Sequence, residues 1–258
     1  MPSRREVIFG GTAIVGGEVV LPTISRSQPP RHSPIYGCTL AHSEVGHFFA
    51  TASETKLYVT GNEPMIPQSG DRDFDFALAQ TLAKISNALD VVPGFAYYDD
   101  YDARNAYATD VRRSNGADGT VLFGRRLLSR CMSGPDNPEI GVACICAHEF
   151  GHILQYKRGL DQLVGAGQPT VKRVELQADF FAGYCAGLRK REKPSFPAAV
   201  FAVTQYGMGD NMIHDPDHHG TPDERAAAIV RGFEVAFQER RSLADAIQIS
   251  ISYTATLR

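Results

Sequence analysis

The stretch CICAHEFGHILQYKRG, Cys144–Gly159, places two histidines four residues apart, with a glutamate directly after the first. Apolar residues at helical spacing surround these polar groups, so a helix is predicted from about residue 138 to 156. Positions i and i+4 lie on the same face of an α-helix. His148 and His152 therefore project side by side, as two ligands of one metal ion do. The stretch predicts a metal-binding helix.

Glu149 follows His148 directly and lies about 100° around the helix from it. From there its carboxylate could reach a water beside the ion rather than the ion itself. The pattern H-E-x-x-H on a helix is typical of zinc metallopeptidases, in which the glutamate acts as general base. The other interpretation is an exposed helix with two solvated histidines. The apolar neighbours Phe150 and Ile153 argue against it.

The residues after His152 exclude one class of zinc peptidase. Metzincins take their third ligand from the continuation H-E-x-x-H-x-x-G-x-x-H. Here Gln155 stands where that motif needs glycine, and Arg158 stands where it needs histidine. A catalytic zinc site usually has three protein ligands. The third ligand must therefore come from elsewhere in the chain.

A second helical pattern, VELQADFFAG, supplies candidates for the third ligand. Glu175 and Asp179 lie four residues apart on a face that is otherwise apolar. A carboxylate on a buried face is costly unless it is paired or binds an ion. We predict that Glu175 is the third ligand and that Asp179 accepts a hydrogen bond from the free N–H of a ligand histidine. Pairing of the two carboxylates with Lys172 and Arg173 is the alternative.

H-E-F-G-H followed by E-L-Q-A-D-F-F-A-G resembles the motifs of the gluzincin metallopeptidases. More narrowly, the pair is similar to that of the bacterial neutral zinc metallopeptidases, relatives of membrane-bound prenyl-protein and heat-shock zinc endopeptidases. The likeness covers about residues 105–229 and leaves about residues 36–67 unmatched. It implies a zincin-like fold, one Zn²⁺ per chain and hydrolysis of peptide or protein substrates. The implied site has Glu149 as general base and the zinc ligands His148, His152 and Glu175.

A later polar cluster, IHDPDHHGTPDER, contributes a further candidate. The resemblance aligns the tripeptide 219–221 with a T-H-G-T-like element of the family, and Arg225 with an arginine that follows it. A donor or cation there could stabilise the oxyanion that forms at the attacked carbonyl. We select His219 as the catalytic histidine, preferred to His218 only by this alignment. A solvated loop in which Thr221 caps the following helix is the other interpretation, and both can hold together.

The order of the predicted elements indicates the fold class. β-branched and aromatic residues predict one or two short strands within residues 37–61, and further strands in GFAYYDD, NAYATD and GTVLFG. A helix is predicted from about Asp73 to Leu89, and helical spacing dominates after residue 138. We therefore predict an α+β fold, with a small, mostly antiparallel sheet followed by a helical half that carries both motif helices. The strand near GTVLFG is predicted to pair with an extended substrate.

Composition excludes several functions. The 258 residues are 43% hydrophobic and carry a formal net charge of −3, so no basic footprint for nucleic acid is present. No apolar run reaches the roughly 18 residues that indicate a membrane-spanning helix. The five cysteines are too sparse for a disulfide scaffold. Cys38 and Cys131 lie in loop-like contexts and could pair in an oxidising compartment. The remaining three, Cys144, Cys146 and Cys185, are expected to be buried thiols.

The first residues differ from the rest. The pair Arg4-Arg5 precedes an apolar run of small residues, which resembles a twin-arginine export signal. Glu18 interrupts this run and no A-x-A cleavage motif follows it, so a disordered tail is the other interpretation. We separate residues 1–33 from a zinc metallopeptidase domain of residues 34–258. The predicted location is periplasmic or extracellular, with the cytoplasm as the alternative.

The predicted function is zinc-dependent hydrolysis of peptide bonds. A zinc amide hydrolase acting on cell-wall peptides would use the same residues. A catalytically inactive, zinc-containing binding module is an alternative of a different class. Glu149 argues against that module, because a structural zinc site has no need for a general base and usually fills all four positions with protein ligands.

The export signal can be tested with a reporter. Residues 1–35 fused to a reporter protein are expected to direct it out of the cytoplasm, and replacing both arginines by lysine (Arg4→Lys with Arg5→Lys) is expected to abolish export, since the twin-arginine pathway requires the arginine pair. Cell fractionation measures the reporter in each compartment. A reporter that remains cytoplasmic in both fusions would contradict the predicted location.

Overall fold

In the described part of the chain, all four strands precede the two 21-residue helices, Pro138–Arg158 and Lys172–Glu192. The computed structural model describes residues 38–40, 42–101, 105–134 and 137–257, so the proposed signal at residues 1–33 lies outside the described part. The elements in chain order are α1 (Val45–Thr51), β1 (Lys56–Leu57), α2 (Arg72–Leu89), β2 (Gly94–Tyr98), β3 (Ala106–Thr109), β4 (Thr120–Gly124), α3 (Arg125–Met132), α4 (Pro138–Arg158), α5 (Leu160–Gly165), α6 (Lys172–Glu192), α7 (Ala199–Tyr206), α8 (Pro222–Phe237) and α9 (Leu243–Ala255).

The four strands form one mixed sheet in the order β1-β2-β4-β3. The β1–β2 and β3–β4 pairs are antiparallel, whereas β2 and β4 are parallel over five residue pairs. The fold is therefore mixed α/β with a small sheet. This confirms the prediction that helices combine with a small sheet. The stretch GTVLFG is β4, and both of its edges are occupied by neighbouring strands, so β4 itself offers no edge to an extended substrate. The edge strand beside it is β3.

Local sequence signals set the ends of the central helix α4. Pro138 stands in its first turn, where a missing backbone N–H breaks no intrahelical hydrogen bond. Gly159 follows its last residue with a φ of 64°, a left-handed conformation that glycine adopts without a steric penalty. Every residue of α4 from Val142 to Gln155 is buried. Helix α4 is therefore a core helix, and its polar side chains are enclosed by protein.

Among the described residues of the stretch 37–61, one short strand is present as predicted, β1, together with a helix that was not predicted, α1. Most of the ordered structure in this stretch is helix α1, and the strand β1 has only two residues. Phe48 of α1 packs edge-on against Tyr98 and Tyr107 of the sheet, with ring centroids 5.6 and 5.1 Å apart. These contacts with a distant part of the chain outweigh the strand propensity of the local sequence. The predicted helix at residues 73–89 is confirmed as α2.

The second motif helix, α6, packs closely on α8. A Cβ atom at Gly183 of α6 would overlap the backbone carbonyl of Ile229, and one at Gly232 of α8 would overlap the backbone carbonyl of Phe180. Glycine at both positions lets the two backbones touch. This contact fixes the position of α6 relative to the rest of the helical half.

Among the helices of the described residues, none combines the length and the apolar character needed to cross a membrane.

The close contact between α6 and α8 predicts the effect of a single added methyl group. Gly232→Ala is expected to lower the free energy of unfolding by about 1–3 kcal/mol, the usual range for overpacking. The matched control is Gly141→Ala in α4, where the new Cβ would lie 3.5 Å from the Thr204 Oγ1 atom in ordinary contact. In this control the free energy of unfolding should rise by up to about 1 kcal/mol, because alanine has a higher helix propensity than glycine. Urea unfolding measures both, and equal stability of Gly232→Ala and wild type would contradict the packing described.

Candidate metal centre

Four buried side chains from three parts of the chain form a group that could hold a metal ion. His148 and His152 come from α4, Glu175 from α6 and Cys38 from the segment before α1. Their ligand atoms all lie within 4.8 Å of one another. The two imidazole Nε2 atoms are 3.1 Å apart. Two atoms that each lie about 2.0–2.1 Å from a tetrahedral zinc ion are roughly 3.3 Å apart. The spacing therefore fits a shared ion.

Asp179 fixes the orientation of the first imidazole. Its Oδ1 atom lies 2.7 Å from Nδ1 of His148. A carboxylate oxygen can only accept, so Nδ1 of His148 carries the proton and donates it. Nε2 of the neutral ring then has a lone pair that points toward the other candidate ligands. Burial of the ring lowers the pKa of His148, but the Asp179 carboxylate raises it, and the pKa lies well above its ordinary value.

Gln155 fixes the orientation of the second imidazole. Its amide nitrogen donates to the Val174 carbonyl at 2.8 Å and to the Gln177 side-chain oxygen at 3.0 Å. Because its nitrogen is used in this way, its Oε1 atom faces His152 and accepts from Nδ1 at 2.7 Å. Gln177 in turn donates to Ser250 of α9 at 3.0 Å, which extends the network into the last helix.

The two orientations have one consequence for charge. With both Nδ1 atoms donating, the two Nε2 lone pairs of the neutral rings face each other at 3.1 Å and cannot hydrogen-bond to each other. Either one ring takes a second proton or a cation lies between them. The Glu175 carboxylate supplies negative charge at the same point, with Oε2 at 3.2 Å from Nε2 of His148 and Oε1 at 3.5 Å from Nε2 of His152.

Unsatisfied oxygen atoms favour the cation. Among the described residues, Oε2 of Glu175 and Oε2 of Glu149 are buried and accept no hydrogen bond. Such atoms are rare in folded proteins, because an unpaired buried oxygen loses its hydration without compensation. A metal ion satisfies the Glu175 oxygen and the two imidazole lone pairs together. The donor set of imidazole nitrogen, carboxylate oxygen and thiol sulfur is the set that binds zinc.

Arg225 holds Asp179 from behind. Its Nε atom donates to Oδ2 of Asp179 at 2.8 Å and its Nη2 atom donates to Oδ1 at 3.0 Å, while Nη1 donates to the carbonyl of Met208 at 3.3 Å. All three guanidinium nitrogens of Arg225 thus donate hydrogen bonds, and the residue is 1% exposed. The expectation that Arg225 stabilises an oxyanion does not fit this geometry. Arg225 is a positioning residue that orients Asp179 and, through it, His148.

Glu149 lies beside the group, 1% exposed, as its place on the helix predicted. Burial raises the pKa of its carboxyl from the ordinary 4.5 to about 8, while His148 lowers the pKa and Glu175 raises it. Its Oε2 atom is the unpaired oxygen noted above. A buried carboxyl group with a raised pKa and a free oxygen next to candidate metal ligands is suited to take up and hold a proton.

His219 and His218 occupy different environments. His218 is 1% exposed, and its Nδ1 atom lies 2.5 Å from Oδ1 of Asp210. The His219 side chain is 26% exposed, and its Nδ1 atom is 3.7 Å from Oδ2 of Asp210. Burial raises the pKa of the Glu175 carboxyl, whereas His152 and then His219 lower it. The pKa of Glu175 lies well below its ordinary value, and His219 is close enough to contribute to this. Thr221 caps α8 in a capping box with Glu224, which agrees with the loop interpretation.

Cys38 is the member of the group that sequence reasoning missed. It lies 137 residues from Glu175, whose Oε1 atom accepts a hydrogen bond from the Cys38 backbone N–H at 3.1 Å. Burial, followed by Glu175 and Glu149, raises the pKa of its thiol to about 12. Cys38 and Cys131, which the sequence allows to pair, are both free thiols in the structure. No local motif marks Cys38, because the residues around it match neither of the two zinc motifs.

Gln155 was also missed as a positioning residue, although a local signal exists. It stands three residues after His152 on the same helix, a spacing at which two side chains meet. Sequence reasoning used Gln155 only to exclude the metzincin motif.

Comparison of the chain with protein-family models, with curated proteins and with solved structures finds no match. The functional conclusion therefore depends on the geometry of these side chains.

Proposed function

We propose that the chain is a zinc-dependent metallopeptidase with a zincin-like fold, as the resemblance of its two motifs implied. The single observation that supports this most strongly is the arrangement on α4 and α6. Two oriented imidazole lone pairs and the Glu175 carboxylate converge, and the unpaired carboxylate of Glu149 lies beside them. The three convergent groups suit a catalytic zinc ion, and the fourth suits a general base.

In this proposal His148, His152 and Glu175 hold one Zn²⁺ per chain. A zinc ion so held acts as a Lewis acid that polarises a carbonyl and lowers the pKa of water to about 7. Asp179 and Gln155 keep the rings in the tautomer that offers Nε2, which strengthens their binding to a cation. Their own partners Arg225 and Gln177 make these orientations rigid.

Glu149 performs the proton transfers. Its Oε2 atom accepts a proton from the attacking water and returns it to the amine that leaves. Because the side chain is buried, no bulk water competes for this oxygen. His219 is the proposed donor to the oxyanion. Its partial exposure agrees with a group that meets substrate, whereas Arg225 is fully engaged with Asp179 and Met208.

The substrate is proposed to bind as an extended strand on the outer edge of β3. Because β4 is interior, the outer strand β3, which contacts the motif helix α4, is proposed to supply this edge. Backbone pairing with an edge strand holds a peptide in line independently of its sequence. Peptides of the cell wall remain within this substrate class, and export through the N-terminal segment remains the proposed location.

One observation favours a second candidate function. With Cys38 included, four protein side chains surround the point where the ion would bind. Four protein ligands are typical of structural zinc sites. A zinc-stabilised binding module without turnover is therefore the alternative, and the variants below separate it from the peptidase.

The ligand assignment predicts metal content. We expect one zinc per purified chain, and we expect His148→Ala, His152→Ala or Glu175→Ala to lower occupancy sharply, because each removes one of the converging donors. His214→Ala is the matched control, since that histidine is exposed. Metal is measured by mass spectrometry after dialysis. Full zinc retention in Glu175→Ala would overturn the assignment and leave Asp179 or a loop histidine as the third ligand.

The general-base role predicts a separation between metal binding and turnover. Glu149→Gln keeps the shape of the side chain but cannot accept a proton, so zinc should remain while hydrolysis falls by about 10²–10⁴-fold. Glu139→Gln, an exposed glutamate in the first turn of the same helix, is the matched control and should keep full activity. A peptide library with and without chelator measures hydrolysis.

Because Cys38 lies among the candidate ligands, the glutamine variants are compared in the wild-type chain and also in a Cys38→Ala background, where that position is open. Loss of zinc in Glu149→Gln would show that the glutamate is structural. Zinc retention without any hydrolysis in either unsubstituted background, the wild-type chain or Cys38→Ala alone, would favour the binding module.

A further inference from the structure

The segment Cys38–Leu40 lies along the outer edge of β3 as a short extended strand. The Ala108 N–H donates to the Cys38 carbonyl at 2.9 Å, and the Leu40 N–H donates to the Ala108 carbonyl at 3.0 Å. Thr39 and Ala108 form a parallel bridge between these two bonds. The edge proposed for an extended substrate is therefore already occupied by the protein's own backbone at Ala108.

The same segment reaches the candidate metal ligands. The backbone N–H of Cys38 donates to Glu175, and its thiol sulfur lies within 4.8 Å of the ligand atoms of His148, His152 and Glu175. The pairing of this segment with β3 at Ala108 thus brings the Cys38 side chain to the candidate metal ligands. The segment occupies two places at once, the edge of β3 at Ala108 and a position among the candidate metal ligands.

We propose that Cys38–Leu40 is an autoinhibitory strap, in which the Cys38 thiolate takes the fourth coordination position of the bound metal while the backbone occupies the peptide-binding edge of β3. The inference rests on the proposed peptidase function. It adds a latent state to that function, in which the thiolate fills the position that water would take on the ion and the strap covers the β3 edge at Ala108.

The support around the four ligands distinguishes a strap from a permanent ligand. The imidazoles lie on the buried helix α4 and are held from behind by Asp179 and Gln155. Cys38 comes from a short extended segment that two backbone hydrogen bonds attach to β3. Glu149 retains an unpaired oxygen in the same space, which a permanently closed structural site does not require.

Leu40 anchors the strap. It is 4% exposed and belongs to a small apolar cluster on the sheet with Val45, Tyr98, Tyr107 and Leu122. This cluster is separate from the main core, which joins α2, α4 and α6. The strap can therefore be weakened at Leu40 without removing a residue of the main core or the thiol itself.

The first measurement is direct detection of sulfur on the metal. X-ray absorption of the full-length zinc protein is expected to show one sulfur neighbour at about 2.3 Å, the usual zinc–thiolate distance. Cys38→Ala should lose this neighbour and keep about one zinc per chain on its three remaining ligands. Cys131→Ala, which removes a half-buried free thiol outside the group, is the matched control and should keep the sulfur signal.

The second measurement is hydrolysis of a peptide library by the same preparations. Cys38→Ala is expected to cleave at least about tenfold faster than wild type, equivalent to removing about 1.4 kcal/mol of competition by the thiolate. Leu40→Ala, which retains the thiol, should show a smaller gain and a weaker sulfur signal. Cys131→Ala should match wild type in both measurements.

The outcomes separate the strap from the peptidase itself. Absence of sulfur from the metal in an active wild type would overturn the strap and leave the peptidase intact. A sulfur signal together with equal activity in wild type and Cys38→Ala would also overturn latency. Loss of zinc and of folding in Cys38→Ala, with a stable but inactive Leu40→Ala, would make Cys38 a structural ligand. Zinc-loaded Cys38→Ala that cleaves nothing would reject the peptidase and the strap together.

Discussion

The Asp179 carboxylate connects the three helices on which the site depends. It lies on α6, accepts from His148 of α4 and binds Arg225 of α8 through two hydrogen bonds. All three side chains are at most 2% exposed, so none can exchange its partner for water. A buried carboxylate, a buried guanidinium and a buried imidazole are each costly alone and become acceptable together. This triad fixes the ring of His148 and thereby directs its lone pair.

The glycines of α6 and α8 make that triad possible. Because the two helix backbones touch at Gly183 and Gly232, Arg225 at the start of α8 lies within reach of Asp179. The capping box of Thr221 and Glu224 fixes where α8 begins. Packing in the helical half therefore determines the geometry of the candidate metal centre. The sheet has a different role, because its β3 edge carries the segment that brings Cys38 to the same centre.

Glu149 and Cys38 favour different functions. An unpaired carboxylate oxygen beside three oriented ligands suits a general base, whereas a thiol as the fourth ligand suits a closed structural site. The proposed autoinhibitory strap would reconcile the two, since a catalytic site can be closed by a residue that is not part of its supporting network. The short extended backbone of Cys38–Leu40 and its anchor at Leu40 fit that interpretation.

The sequence alone determined the features that depend on helical period. The spacing of His148, Glu149 and His152, and the spacing of Glu175 and Asp179, follow from 3.6 residues per turn and needed no tertiary information. Gln155 was within reach of the same reasoning. Only the tertiary structure decided that Cys38 joins the group, that β4 is interior and that Arg225 binds Asp179. Each of these depends on contacts between distant parts of the chain, which no local pattern encodes.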